Sequence, residues 1–189
     1  MGDFTDFVKK VFVKNESLTI CIPVFEAEGF VLETLQSVLN QSYGNFKCLI
    51  SIDFASDNTF EVIRSFANDK RISIFRQKRR LGWVGNVNFL LKKVRSKYVC
   101  IMPHDDILFP SYIDKLMELI ESDERTVVAF SDIEMFGNGY NGTIVQESIR
   151  GSKTERITDF IEHHYNAVLF RGIVNRKKVG HDIFLNPND

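Results

Sequence analysis

Tyr98-Val99-Cys100-Ile101-Met102, a run of apolar and β-favouring residues, passes into Pro103-His104-Asp105-Asp106-Ile107-Leu108 and then into a helical pattern that opens at Pro110. The run reads as a buried strand, and Pro110 stands where the first residue of a helix tolerates proline. Two adjacent carboxylates are thereby expected at the C-terminal end of a buried strand, the edge of an open α/β sheet where ligands bind. Ionised side by side, they repel each other, and a fold offsets that repulsion with a metal ion or with directed hydrogen bonds. The plainer reading is an Asp that caps the following helix beside an exposed neighbour.

Upstream of this stretch, strand and helix patterns alternate. Leu18 to Val24 reads as a first strand, followed by a helical stripe of Val31, Leu32, Leu35, Val38 and Leu39 that Gly44 helps to end. Phe46 to Asp53 is a second strand, and Phe60, Ile63, Phe66 and Ala67 mark a helix entered through Ser56-Asp57-Asn58, residues suited to capping. Arg71 to Phe75 is a third strand and Trp83 to Val94 a third helix. Tyr112, Ile113, Leu116, Met117 and Ile120 supply the stripe of the helix after the twin Asp. Four β-α units in succession predict parallel strands joined by helical crossovers.

From Thr126 the pattern changes. Thr126 to Phe136 and Thr143 to Ile149 flank Asn-Gly pairs, which predicts an antiparallel hairpin. Ser152-Lys153-Thr154-Glu155 has the spacing of a capping box and opens a helix with Ile157, Phe160, Ile161 and His164 on one face. Arg171, Arg176, Lys177 and Lys178 read as a solvated basic face, with no closing element in view after them. At the other end Phe4, Phe7, Val8, Val11 and Phe12 recur at helical spacing, so residues 1–16 are expected to form an amphipathic helix on the flank.

Composition narrows the classes. With 24 basic and 25 acidic residues among 189, the chain has no overall charge that would draw it to nucleic acid or an anionic membrane. No apolar run approaches the ~20 residues a membrane span needs, and none after Met1 reads as a signal peptide, so the expected location is cytoplasmic, with peripheral membrane contact left open. Cys21, Cys48 and Cys100 each lie inside an apolar run without metal-ligand spacing and read as buried thiols. His163 and His164 lack a suitably spaced carboxylate or Cys partner for a metal.

Placed on this frame, Asp53 ends the second strand, while Asp105 and Asp106 follow the fourth. The same edge receives Pro23-Val24-Phe25-Glu26 and Lys78-Arg79-Arg80-Leu81-Gly82. A rim that gathers carboxylates and cations suits a phosphorylated ligand bound with a divalent metal. Neither the P-loop pattern nor Gly-x-Gly-x-x-Gly after the first strand is present, nor is a Gly-x-Ser-x-Gly elbow.

Four stretches carry a family resemblance over roughly residues 17–136. Ile20 to Glu26, Ile52 to Thr59, Leu81 to Asn88 and Pro103 to Pro110 look like the successive signatures of family 2 glycosyltransferases. The resemblance implies a Rossmann-like GT-A fold: an α/β architecture with a mostly parallel central sheet flanked by helices and an antiparallel hairpin after the aspartate motif. It implies a nucleotide-diphosphate sugar as donor, Mg²⁺ or Mn²⁺ as cofactor, and inversion by direct displacement. Position by position, Pro23 and Glu26 would line the loop after the first strand and Asp53 would bond the nucleobase. Arg80, or Lys78, would approach the base or diphosphate, and Gly82 and Asn86 would complete the donor site. Asp105 would contact the ribose or metal, and Asp106 the metal.

The chain departs from the family pattern in three places. Pro103 stands where many relatives have Asp, and Ile52-Asp53-Phe54-Ala55 stands where Asp-Asp-Gly-Ser is common. The general base of the family lies well downstream, where only Asp182 and Asp189 remain, and Asp182 is the catalytic candidate. The expected organisation is a single GT-A-like domain, 1–189, with a nucleotide-sugar-binding core at 17–125 and a partial, apparently truncated acceptor-side region at 126–189. A nucleotidyltransferase, or a non-catalytic nucleotide-binding module, is the alternative. The donor base, the sugar and the acceptor, whether saccharide, lipid-linked or protein, are not legible.

Overall fold

The computed structural model of the protein describes residues 17–137, 141–163, 169–179 and 184–185. The helix expected at 1–16, His164 and Asp182 lie outside the described residues.

Four β-α units open the fold. They are β1 (Leu18–Val24), α1 (Val31–Leu39), β2 (Phe46–Ile52), α2 (Thr59–Arg64), β3 (Ile72–Arg76), α3 (Gly82–Leu91), β4 (Tyr98–Ile101) and α4 (Tyr112–Ser122). β5 (Val128–Ala129), β6 (Ile133–Met135), β7 (Gly142–Ile144), α5 (Lys153–His163), a 3₁₀ turn (Leu169–Arg171), β8 (Ile173–Asn175) and α6 (Arg176–Val179) follow. All seven residues of β1 are buried, as a parallel strand covered by helices on both faces requires.

The main sheet runs β3-β2-β1-β4-β8-β5, with β1, β2, β3 and β4 mutually parallel and β8 antiparallel between β4 and β5. β6 and β7 pair antiparallel as a separate hairpin. One core packs under α1 and α4 and holds Leu35, Val38, Ile113, Leu116, Met117 and Ile120. The other packs under α3 around Val87, Leu90 and Leu91. Chain order reverses direction between β1 and β4, and the crevice beyond their C-terminal ends is where an open α/β sheet binds ligands.

Two expectations are corrected. First, the basic stretch is only partly a solvated face: β8 lies between Arg171 and Arg176, and Arg176 donates to the Ser96 carbonyl at 2.8 Å, while Lys177 and Lys178 are exposed. A three-residue strand gives no periodicity to read, and its place is set by long-range pairing. Second, Thr126 to Phe136 splits into β5 and β6, which belong to different sheets. α2 is capped from within the Ser56-Asp57-Asn58 stretch, as expected: Asp57 Oδ1 accepts the Thr59 N–H at 3.2 Å, while Asn58 makes no side-chain cap. The capping box of α5 is present, since Ser152 N donates to Glu155 Oε2 at 2.7 Å and Glu155 N to Ser152 Oγ at 3.3 Å. The apolar residues Ile157, Phe160 and Ile161 of that helix stay exposed.

Candidate active site

β1 determines how the rim is built. Its pairing with β4 ends at Cys21↔Ile101, whereas its pairing with β2 continues to Val24↔Ile52. Pro23, which has no N–H to give, therefore sits where β4 has already left the ladder. The Cys21 carbonyl accepts the Met102 N–H, and strand alternation turns the Pro23 carbonyl to that same side. There it meets His104, whose ring Nδ1 lies 3.3 Å away. His104 thus ties the loop after β4 to the end of β1.

The loop from His104 to Pro110 is tethered along its length to α1 and the residues just after it. Thr34 Oγ1 donates to the His104 carbonyl at 2.8 Å, Leu108 N donates to Ser37 Oγ at 3.1 Å, and Gln41 Nε2 donates to the Phe109 carbonyl at 2.8 Å. Gln41 Oε1 in turn accepts the Ile113 N–H at 2.9 Å. With its ends fixed, the loop presents Asp105 exposed and Asp106 half-buried.

Asp53 is only 2% exposed. Its Oδ1 accepts the N–H groups of Leu81 at 2.7 Å and Phe54 at 3.1 Å, and its Oδ2 accepts Gly82 N–H at 2.9 Å. A buried carboxylate is tolerable here because Leu81 and Gly82 open α3, and their N–H groups have no partner within the helix. Asp53 caps α3 from a strand that lies 28 residues away from Leu81 in sequence. Gly82 has φ +70°, a backbone state that glycine adopts at no steric cost. The Asp53 oxygens thereby organise the loop entering α3.

These contacts open a cleft of about 200 Å³ lined by Pro23, Val24, Phe25, Asp53, Arg80, Gly82, Trp83, Asn86 and His104. Of the residues the resemblance implied for a donor, the cleft gathers Pro23, Asp53, Arg80, Gly82 and Asn86, whereas Glu26, Lys78 and Asp105 do not line it. Glu26 is exposed at φ 44° and accepts a hydrogen bond from Ser56 Oγ. The Arg80 guanidinium lies over the Phe25 ring, 3.7 Å from its centroid, so cation and aromatic form one wall. Asn86 is buried, donates through Nδ2 to the Ser51 carbonyl at 2.9 Å, and leaves Oδ1 without a partner. Trp83, half-exposed at the mouth, meets Phe170 edge-on with centroids 5.9 Å apart.

A second cleft of about 330 Å³ lies on the other side of the aspartate loop. Its floor is apolar, with Met102, Leu108, Phe109, Tyr112, Ile133 and Phe136, and its polar groups include Asp106, Asp132, Glu134 and Arg171. Burial pushes the Tyr112 phenol far above its ordinary pKa, and its O–H donates to the Arg171 carbonyl at 3.1 Å. Arg171 does not belong to a solvated face: its Nε lies 2.5 Å from Asp106 Oδ2. Sequence reading missed this pairing because nothing local links the two positions, which stand 65 residues apart. Phe25 also escaped assignment, although its place directly after the first strand was a usable signal.

Among the described residues no group of three His, Cys, Asp or Glu side chains could hold a metal ion. The two neighbouring carboxylates fit a divalent ion of the kind that keeps waters and takes its remaining oxygens from substrate phosphates. No helix among the described residues is long and apolar enough to cross a membrane.

The sheet order and the cleft at the β1/β4 reversal are those of an open α/β sheet with its crevice beyond the strand ends. The chain belongs to glycosyl transferase family 2, whose model matches residues 19–177. An uncharacterized glycosyltransferase of Haemophilus influenzae is 29% identical over 119 residues, which make up 62% of this chain and 37% of that protein. The Streptococcus pneumoniae glycosyltransferase GlyG is 23% identical over 128 residues, 67% of this chain and 40% of GlyG. The chain thus spans well under half the length of these relatives. Among solved structures, Staphylococcus aureus TarS 1-349 in complex with UDP-GlcNAc superposes with a TM-score of 0.68 at 17% identity, covering 90% of this chain and 48% of that one. The Pyrobaculum calidifontis mannosyltransferase PcManGT, in complex with GDP-Man and Mn²⁺, gives a TM-score of 0.57 at 18% identity, covering 63% of this chain and 36% of that one. At these identities both likenesses concern the fold.

Proposed function

We propose that this chain binds a nucleotide-diphosphate sugar across the C-terminal ends of β1, β2 and β4 and transfers its sugar to an acceptor with inversion. The observation that carries the reading is the convergence of Pro23, Asp53, Arg80, Gly82 and Asn86, from separate segments of sequence, on one cleft beside the twin aspartates. The complexes of TarS with UDP-GlcNAc and of PcManGT with GDP-Man support the same donor chemistry.

In this reading the base enters the first cleft. Its N–H groups meet the open acceptor position of Asp53 and the Asn86 side chain, and its face or the diphosphate meets the Phe25–Arg80 wall. Lys78 and Glu26 stand at the margin of that cleft and Asp105 beside the ribose or metal. Asp105 and Asp106 hold Mg²⁺ or Mn²⁺, which when bound neutralises the departing nucleoside diphosphate. The sugar and the acceptor face the second cleft, where an apolar floor ringed by carboxylates suits the C–H faces and hydroxyls of a saccharide. Inversion asks for a single in-line displacement, with the acceptor's proton taken by a carboxylate. Asp182 is the sequence-derived candidate for that base.

Product analysis tests the reading. Incubated with a nucleotide sugar and an acceptor pool, the protein should release a nucleoside diphosphate. Release of pyrophosphate from a nucleoside triphosphate and a sugar phosphate would instead make it a nucleotidyltransferase.

A further inference from the structure

Asp106, the carboxylate assigned to the metal, already has a cation against it. The Arg171 Nε–Asp106 Oδ2 distance is 2.5 Å, with the two side chains 30% and 34% exposed. The backbone at Arg171 is held independently of this contact. Its carbonyl accepts the Tyr112 O–H at 3.1 Å and the Cys100 S–H at 3.3 Å, which anchors it against β4 and α4. Phe170, one residue earlier, meets Trp83 at the mouth of the first cleft, while Arg171 lines the second. The 3₁₀ turn therefore reaches across the rim between the two clefts, and its guanidinium sits at the junction where a diphosphate would pass from one to the other.

We propose that Arg171 is a diphosphate-binding residue of this site, parked on Asp106 when no diphosphate is present; the inference rests on the donor-binding reading above. A guanidinium and a divalent cation compete for one carboxylate, since each weakens the other's hold by like-charge repulsion. A diphosphate resolves the competition. Its oxygens accept the planar fork of Arg171, a geometry matched to phosphate, and leave Asp106 to the metal. The guanidinium stays paired before and after, so the exchange never strands a half-buried charge. Among the described residues lining the second cleft Arg171 is the one cation, and Asp106, Asp132 and Glu134 line the same cleft.

The test compares the parent with Arg171→Met by calorimetric titration of Mn²⁺ alone, then of UDP, GDP and dTDP at saturating Mn²⁺, then of the matching nucleosides. Arg171→Met should bind Mn²⁺ alone several-fold more tightly, bind the preferred diphosphate about tenfold or more weakly, and bind its nucleoside unchanged. A purely structural Arg171 would not move metal and diphosphate affinity in opposite directions. Unchanged diphosphate affinity or unchanged Mn²⁺ affinity in a folded variant overturns the inference. If Arg171→Met fails to melt cooperatively, Arg171→Lys, which keeps the charge but loses the fork, must still weaken the diphosphate relative to the nucleoside, and equal binding overturns the inference. A parent that binds none of the three diphosphates overturns the donor reading itself, and the inference with it.

Discussion

The carboxylate of Asp53, one residue past the end of β2, accepts the backbone N–H of Gly82, the first residue of α3, at 2.9 Å. Together with the Leu81 N–H that Oδ1 accepts at 2.7 Å, this contact ties the end of the second strand to the start of α3, where Arg80 and Trp83 line the cleft. In the donor-binding reading proposed above, nucleotide binding and stability are therefore coupled at Asp53.

Asp53→Ala should therefore lower both. Removing the carboxylate leaves the Leu81 and Gly82 N–H groups without their acceptor, a cost of about 1–3 kcal/mol. In a chain of this size that lowers Tm by about 2–4 °C per kcal/mol. Thermal denaturation followed by circular dichroism should show this loss, with Asp105→Ala, an exposed position, melting like the parent. Equal melting of the two variants would mean that Asp53 does not organise the loop.

Gly82→Ala isolates the backbone from the chemistry. A Cβ at residue 82 meets nothing within 4 Å, so space is not the obstacle. The φ of +70° is, and placing Ala there should cost about 1–2 kcal/mol. Chemical denaturation should show the midpoint falling with an unchanged m-value.

Asp106→Asn should remove the metal-dependent part of diphosphate affinity and leave nucleoside binding intact. A carboxamide keeps the shape but not the charge that a hard cation requires. Titration of a nucleoside and its diphosphate with Mn²⁺ and with chelator separates the two terms, and an Asp106→Asn protein that retains the metal effect would contradict the assignment.

Burial lifts the thiols of Cys48 and Cys100 from the ordinary 9.0 to about 12. In the folded state they hold their protons where the unfolded chain gives them up. Their contribution to stability is therefore full below pH 9 and is lost as pH rises from there towards 12. Denaturation midpoints should fall across that window, and Cys48→Ala should show a shallower fall than the parent. At neutral pH the folded protein should resist a thiol reagent that reacts readily after denaturation.

Much of this was legible in the sequence, and the reasons are local. β1, β2 and β4 are buried on both faces, so their apolar runs were visible without context. Asp53, Asp105 and Asp106 fell at strand ends, and strand ends define the rim. Arg171 was illegible because its partner, Asp106, is brought to it by the antiparallel insertion of β8, a tertiary event. The capping duty of Asp53 was hidden for the same reason: its hydrogen bonds go to the start of a helix belonging to the next unit. Charge runs are read as solvated when nothing local contradicts them, and here the contradiction came from the loop after the neighbouring strand β4, 65 residues away in sequence.

The central claim, that this rim binds a nucleoside diphosphate through a cation on the twin aspartates, is tested most directly by calorimetric titration of the parent protein with UDP, GDP and dTDP. Each is measured with Mn²⁺ and again with chelator. The account predicts saturable binding of at least one diphosphate that is several-fold tighter with Mn²⁺. Equally weak binding of all three, indifferent to the metal, would contradict it.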